Sequence, residues 1–146
     1  MGNNGLKIAV LVGSLALAAA SFPAFAAAEA DSLEQAVHRG KVLFMTATFG
    51  GSGRHCTTCH KEGGTAMSEL PDGRKFPSLS NAAAIFPRYD AETHRVKTLP
   101  DQVQACVRNA LQGTAPAFES PEMTELVSYI TSLSEGKPIE MDGKPR

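Results

Sequence analysis

The chain has 146 residues, with 14 Lys and Arg against 15 Asp and Glu and a formal net charge of −1. So mild a balance gives no reason to expect nucleic acid, an acidic substrate or an anionic membrane surface as a partner. With no Trp, two Tyr and seven Phe, the aromatic core is thin, and a chain this small gains from an additional apolar mass to pack around.

Residues 1–26 read as a secretory signal peptide. Lys7 is followed by an apolar run of 13 residues, Ile8 to Ala20, then Pro23 and a small-x-small end at Ala24 and Ala26. Thirteen residues fall well short of the roughly 20 that span a bilayer, which disfavours a retained anchor. Cleavage after Ala26 would leave 13 bases against 15 acids, a net charge of −2, and no membrane span in the exported chain. Residues 27–136 are expected to form one domain, and residues 137–146, rich in Pro, Gly and Lys, a loose tail.

Four segments read as helices. The first runs from Leu33 to Phe44, with Ser32 as N-cap and Gln35 as its capping-box partner; Ala36 and Gly40 leave a face on which another helix can lie close. Residues 46–54 are a Gly/Ser-rich loop. A short helix fits Ala82–Phe86. A stronger one fits Pro100–Leu111, opened by Thr98 or Leu99 and by Asp101, with an apolar stripe at Val103, Cys106, Val107, Ala110 and Leu111. The last starts at Ser120-Pro121-Glu122 and carries Met123, Leu126, Val127, Ile130 and Leu133 inward. Little regular structure is expected from His60 to Lys97. No strand alternates, and the predicted class is all-α.

Cys56-Thr57-Thr58-Cys59-His60 carries the chemistry. Two thiols three positions apart can each add to one vinyl group of the same porphyrin, and the adjacent His is then delivered to the iron as proximal ligand. The pattern has rivals. A thioredoxin-like pair would need a preceding strand and a βαβ context, and a zinc site would need a second Cys pair or a spaced His pair; neither is present. One covalently attached haem c is the expected cofactor. Three cysteines cannot all pair, so Cys106 is left over.

On these residues the chain resembles a class I c-type cytochrome, a fold whose N- and C-terminal helices cross beside the haem. Gly40 and Phe44 match the Gly and aromatic of the first helix, and Tyr129 the aromatic of the last. Pro77-Ser78-Leu79 matches the Pro-x-Leu whose carbonyl, by resemblance, accepts the second ring N–H of the haem histidine. The resemblance departs at Gly113-Thr114-Ala115-Pro116, where Ala115 stands in place of the usual axial methionine. Cys106, Met123, Met67, Met45 and His94 are then the candidates for the sixth ligand. The stretches from Phe86 to Cys106 and from Asn109 to Met123 are similar to the N-terminal haem domain of thiosulfate dehydrogenases and related sulfur-oxidising cytochromes. That similarity implies His60 and Cys106 as the iron ligands. Cys106 is the best placed of these candidates, and the alternative reading of its residue type is a buried small hydrophobe. Arg88, Tyr89, Arg95 and Lys97 are expected either to meet the haem propionates or to form a solvated face.

A His/Cys haem should sit at low potential, because thiolate favours ferric iron. The expected role is a periplasmic cytochrome moving one electron at a time between redox partner proteins, another cytochrome among them. The alternative is a catalytic haem subunit acting on a sulfur compound such as thiosulfate. With a single haem motif, such a subunit would need a partner cytochrome, and an electron-transfer protein is the expectation over a stand-alone enzyme.

Overall fold

The computed structural model describes Met1, Gly2 and residues 32–145. The signal-peptide reading falls on residues outside that range. Among the described residues no helix is long and apolar enough to cross a membrane.

Helix α1 (Leu33–Thr46) begins as its sequence dictates. Ser32 Oγ accepts the Gln35 N–H at 3.1 Å, and Gln35 Oε1 accepts the Ser32 N–H at 3.0 Å. One turn of helix, α2 (Cys56–Cys59), follows a loop. Next come the hairpin β1 (Ser68–Glu69) with β2 (Lys75–Phe76), helix α3 (Ala82–Ile85), and the hairpin β3 (Arg88–Asp90) with β4 (Arg95–Lys97). Helix α4 (Leu99–Ala105) opens with a Thr98/Asp101 capping box and passes directly into a π-helical stretch, Cys106–Leu111. Helix α5 (Pro121–Ser132) starts from Ser120, whose Oγ accepts the Met123 N–H.

Helices α1 and α5 pack together at Gly40. A Cβ there would overlap the carbonyl of Glu125 and lie 2.9 Å from Tyr129 Cβ, so only glycine allows the approach. Arg39 Nε donates to Glu125 Oε1 at 2.6 Å beside it. Phe44, Leu99, Val103, Met123, Leu126, Tyr129 and Ile130 form the buried core, with the Tyr129 ring edge-on to Phe44 at 5.4 Å.

Two expectations need correction. Helix is the dominant regular structure among the described residues, but two short hairpins accompany it, so the class is not all-α. The hairpins are too short and too charged to show alternation, and their turns set them: Asp90 Oδ1 accepts the N–H groups of Glu92 and Thr93 at 3.1 and 2.9 Å. Nor are residues 140–144, within the expected tail, loose. Glu140 N–H donates to the Ala84 carbonyl at 2.7 Å, Asp142 N–H to that of Ile85 at 3.1 Å, and Asn81 Nδ2 to that of Lys144 at 3.0 Å. Composition marked this segment as tail-like, whereas unpaired carbonyls at the end of α3 gave it partners.

Candidate functional site

The site is a cavity of about 310 Å³ whose wall is mostly apolar. Phe44, Leu126 and Ile130 come from the core; Cys56, Cys59 and His60 from α2 and its end; Phe76, Pro77 and Leu79 from the segment that follows; Gln102, Val103, Cys106 and Val107 from α4 and the π-helical stretch.

Cys56 and Cys59, at i and i+3 of one helical turn, share a face and line the cavity together. The turn is closed by the His60 N–H on the Cys56 carbonyl at 2.9 Å and by the His55 N–H on Thr58 Oγ1 at 3.1 Å. Ser68 Oγ donates to the Cys59 carbonyl. Burial, and secondarily the Cys106 thiol, push the Cys56 thiol up to about 12, so the free side chain is held protonated.

The His60 ring lies between Phe44, tilted at 6.4 Å, and Phe76, edge-on at 5.8 Å. Its Nδ1 is 3.4 Å from the Pro77 carbonyl. A carbonyl only accepts, so Nδ1 bears the proton and Nε2 keeps a lone pair. Burial lowers the His60 pKa, opposed by the Pro77 contact, which favours the neutral imidazole a metal requires.

Cys106 faces the same cavity from the opposite side of the chain order, at the first residue of the π-helical stretch. Single π-turns within helices are frequent at functional sites. Its N–H is shared between the carbonyls of Gln102 and Val103, and Gln102 Nε2 donates to its Sγ at 3.2 Å. Burial raises the Cys106 pKa, while the Gln102 hydrogen bond and the Lys97 charge pull it back. The far end of the stretch is fastened to the loop before α2. Ser52 donates to the Leu111 carbonyl through its N–H at 2.8 Å and its Oγ at 3.0 Å, and the Thr114 N–H donates to the Phe49 carbonyl at 2.8 Å. The Cys56–His60 and Cys106 walls are therefore held at a set separation.

The other ligand candidates are elsewhere. Met123 is buried in the core, Met67 and Met45 are exposed, and His94 bonds Tyr89 Oη through Nδ1 at 3.2 Å; none of the four lines the cavity, and nor does Ala115. Arg88 does line it, stacked on Phe86 with its guanidinium carbon 5.5 Å from the ring centroid, and its Nε is buried with no hydrogen-bond partner. Tyr89 is not brought to the cavity: strand alternation turns it outward, 54% exposed. Lys97 stands opposite Arg88 in the hairpin, its Nζ 2.6 Å from Asp90 Oδ2.

These features fit a covalently attached haem: two thiols on one face, a neutral imidazole with a free nitrogen, an apolar chamber, and an orphaned guanidinium N–H for which a propionate is the natural acceptor. Four lining residues escaped the sequence: Gln102, His55, Phe76 and Pro145. Gln102 was detectable, since i, i+4 spacing on a helix puts it beside Cys106. His55 carried only its adjacency to Cys56. Pro145 had no signal, because it reaches the cavity through the docking of residues 140–145.

Comparison with known proteins points the same way. Residues 39–139 match the family described as SoxA/TsdA, cytochrome c domain. A thiosulfate dehydrogenase of Stutzerimonas stutzeri is 29% identical over 122 residues, covering 79% of this chain and 38% of that one. The L-cysteine S-thiosulfotransferase subunit SoxA of Pseudaminobacter salicylatoxidans is 29% identical over 118 residues, covering 78% of this chain and 37% of that one. The chain thus spans well under half the length of these curated relatives. The solved structure of SoxXA from P. pantotrophus superposes with a TM-score of 0.56 at 25% identity, over 73% of this chain and 35% of that one. That of thiosulfate dehydrogenase (TsdBA) from Marichromatium purpuratum gives 0.61 at 22% identity, over 77% and 25%.

Proposed function

The chain belongs to the SoxA/TsdA cytochrome c domain family, and on that premise we propose that it is an exported, periplasmic haem module of sulfur-compound oxidation with its iron held between His60 and Cys106. As a cytochrome c domain it carries haem c, which supplies one-electron redox chemistry at its iron. In this reading Cys56 and Cys59 attach the cofactor and His60 Nε2 is the proximal donor. Pro77 orients the imidazole through Nδ1 and raises its basicity. Arg88 Nε offers its unpaired N–H to a propionate. The apolar wall excludes water, and Cys106 is the distal donor.

One observation carries the ligation: of Cys106, Met123, Met67, Met45 and His94, Cys106 alone lines the cavity that Cys56, Cys59 and His60 also line. The family and the named relatives favour sulfur chemistry over the general electron carrier expected from size and haem count. Thiosulfate is the substrate class most directly suggested by those names. Joining two thiosulfates through a new S–S bond releases two electrons, one more than a single haem would take up. A partner cytochrome must therefore take them up in turn.

Absorption and EPR spectra of the ferric protein test the ligation. Cys106→Ala should abolish the thiolate-ligated low-spin signature, and Cys106→Met should convert it to a His/Met type. An alanine variant with the wild-type spectrum would remove Cys106 from the iron. Thiosulfate-dependent haem reduction, with and without an acceptor cytochrome, tests the chemistry, and its absence in every combination leaves the one-electron carrier.

A further inference from the structure

A thiolate bound to a metal has lost its proton and can only accept hydrogen bonds, so its donor strength depends on which N–H groups reach it. At Cys106 Sγ the side-chain donor within hydrogen-bond distance is Gln102. Val103, Val107, Ala110 and Leu111, the cavity-lining neighbours on the same helical stretch, have no side-chain donor. The nearby Lys97 ammonium is engaged at 2.6 Å by Asp90. Gln102 is different: its Nε2 lies 3.2 Å from Cys106 Sγ, and its backbone carbonyl accepts the Cys106 N–H. Backbone and side chain of Gln102 both hold Cys106, one turn away, at the start of the π-helical stretch. The amide carries no charge and does not titrate, so this donor is constant across physiological pH.

We propose that Gln102 is the positioning residue of the distal sulfur, its amide N–H holding Cys106 Sγ toward the cavity and weakening the sulfur as an electron donor. The inference rests on the reading of Cys106 as distal ligand. A hydrogen bond to a ligating sulfur draws electron density from it, makes ferric iron less favoured, and sets the midpoint potential higher than a bare thiolate would. Gln102 thereby offsets part of the low potential that thiolate ligation imposes, which keeps the haem reducible by a sulfur donor.

Two variants of the holoprotein, Gln102→Leu and Gln102→Glu, test this at neutral pH by potentiometric titration and EPR. Leu has no donor, and an ionised Glu has no donor and repels the thiolate. Both midpoint potentials should shift negative, Glu further than Leu, with displaced g-values on a retained low-spin signal and unchanged helical circular dichroism. Potentials and g-values equal to wild type in both variants overturn the proposal. Cys106→Ala, measured alongside, separates the two layers. If it keeps the wild-type EPR signal, the ligation reading fails and the role of Gln102 fails with it. If it loses the signal while the Gln102 variants stay at wild type, the Gln102 inference alone is wrong.

Discussion

Asp90 illustrates how one carboxylate organises the segment leading to Cys106. Its Oδ1 accepts two turn N–H groups and its Oδ2 pairs with Lys97, and these contacts, the Lys97 bond first, hold its carboxyl well below the usual carboxylate range. A carboxylate depressed in the folded state stabilises the fold above its unfolded pKa of about 3.9, and the contribution fades as pH falls through the folded value. Asp90→Asn should therefore be less stable than wild type near neutrality, with the gap closing as pH is taken from about 5 toward 2. Denaturant titrations across that range check it; a gap constant with pH would assign the cost to the lost turn geometry instead. The same residue scale shows how far spacing can be read. His60, Cys56 and Cys59 were legible because their chemistry is local to five consecutive positions. Cys106 was legible as inward-facing from its apolar stripe, with Gln102 one turn before it, whereas Arg88 and Pro145 reach the cavity from other elements.

At the scale of elements, the close packing of α1 on α5 depends on a missing side chain. Gly40→Ala places a methyl against the Glu125 carbonyl and Tyr129 Cβ, contacts that yield only if the helices part. We expect a loss of about 1–3 kcal/mol, the usual range for overpacking, seen as a lower denaturant midpoint of the holoprotein with an unchanged slope. Equal midpoints would mean that the helices separate freely. Helix starts were legible because capping is a short-range hydrogen-bond pattern: Ser32 with Gln35 and Ser120 before Pro121 form as read, and of Thr98 and Leu99 it is Thr98 that caps α4, with Asp101 as its partner. The π-helical widening at Cys106 was not, because its 3.6-residue apolar stripe differs little from that of a continuing α-helix. The hairpins were missed because two- and three-residue strands are too short for a period of two to register.

For the whole molecule, the cavity is the centre of the fold rather than a cleft beside it, since Phe44, Leu126 and Ile130 both line it and belong to or adjoin the core. Without its cofactor this mostly apolar wall would be left to water, a heavy burden for a small domain whose total stability is ordinarily about 5–15 kcal/mol. A Cys56→Ser/Cys59→Ser chain made without haem should accordingly lack a cooperative thermal transition and native near-ultraviolet dichroism. A sharp transition like that of the holoprotein would show that the chain folds without its cofactor. The sequence alone determined the attachment motif, the helix starts and the inward stripe of Cys106, because each rests on residues within one or two helical turns of each other. Only the tertiary structure decided which candidate ligand shares a chamber with His60, that residues 140–144 dock at α3, and that Arg88 faces the site while Tyr89 does not. Those outcomes depend on packing between segments tens of residues apart, which no local spacing encodes.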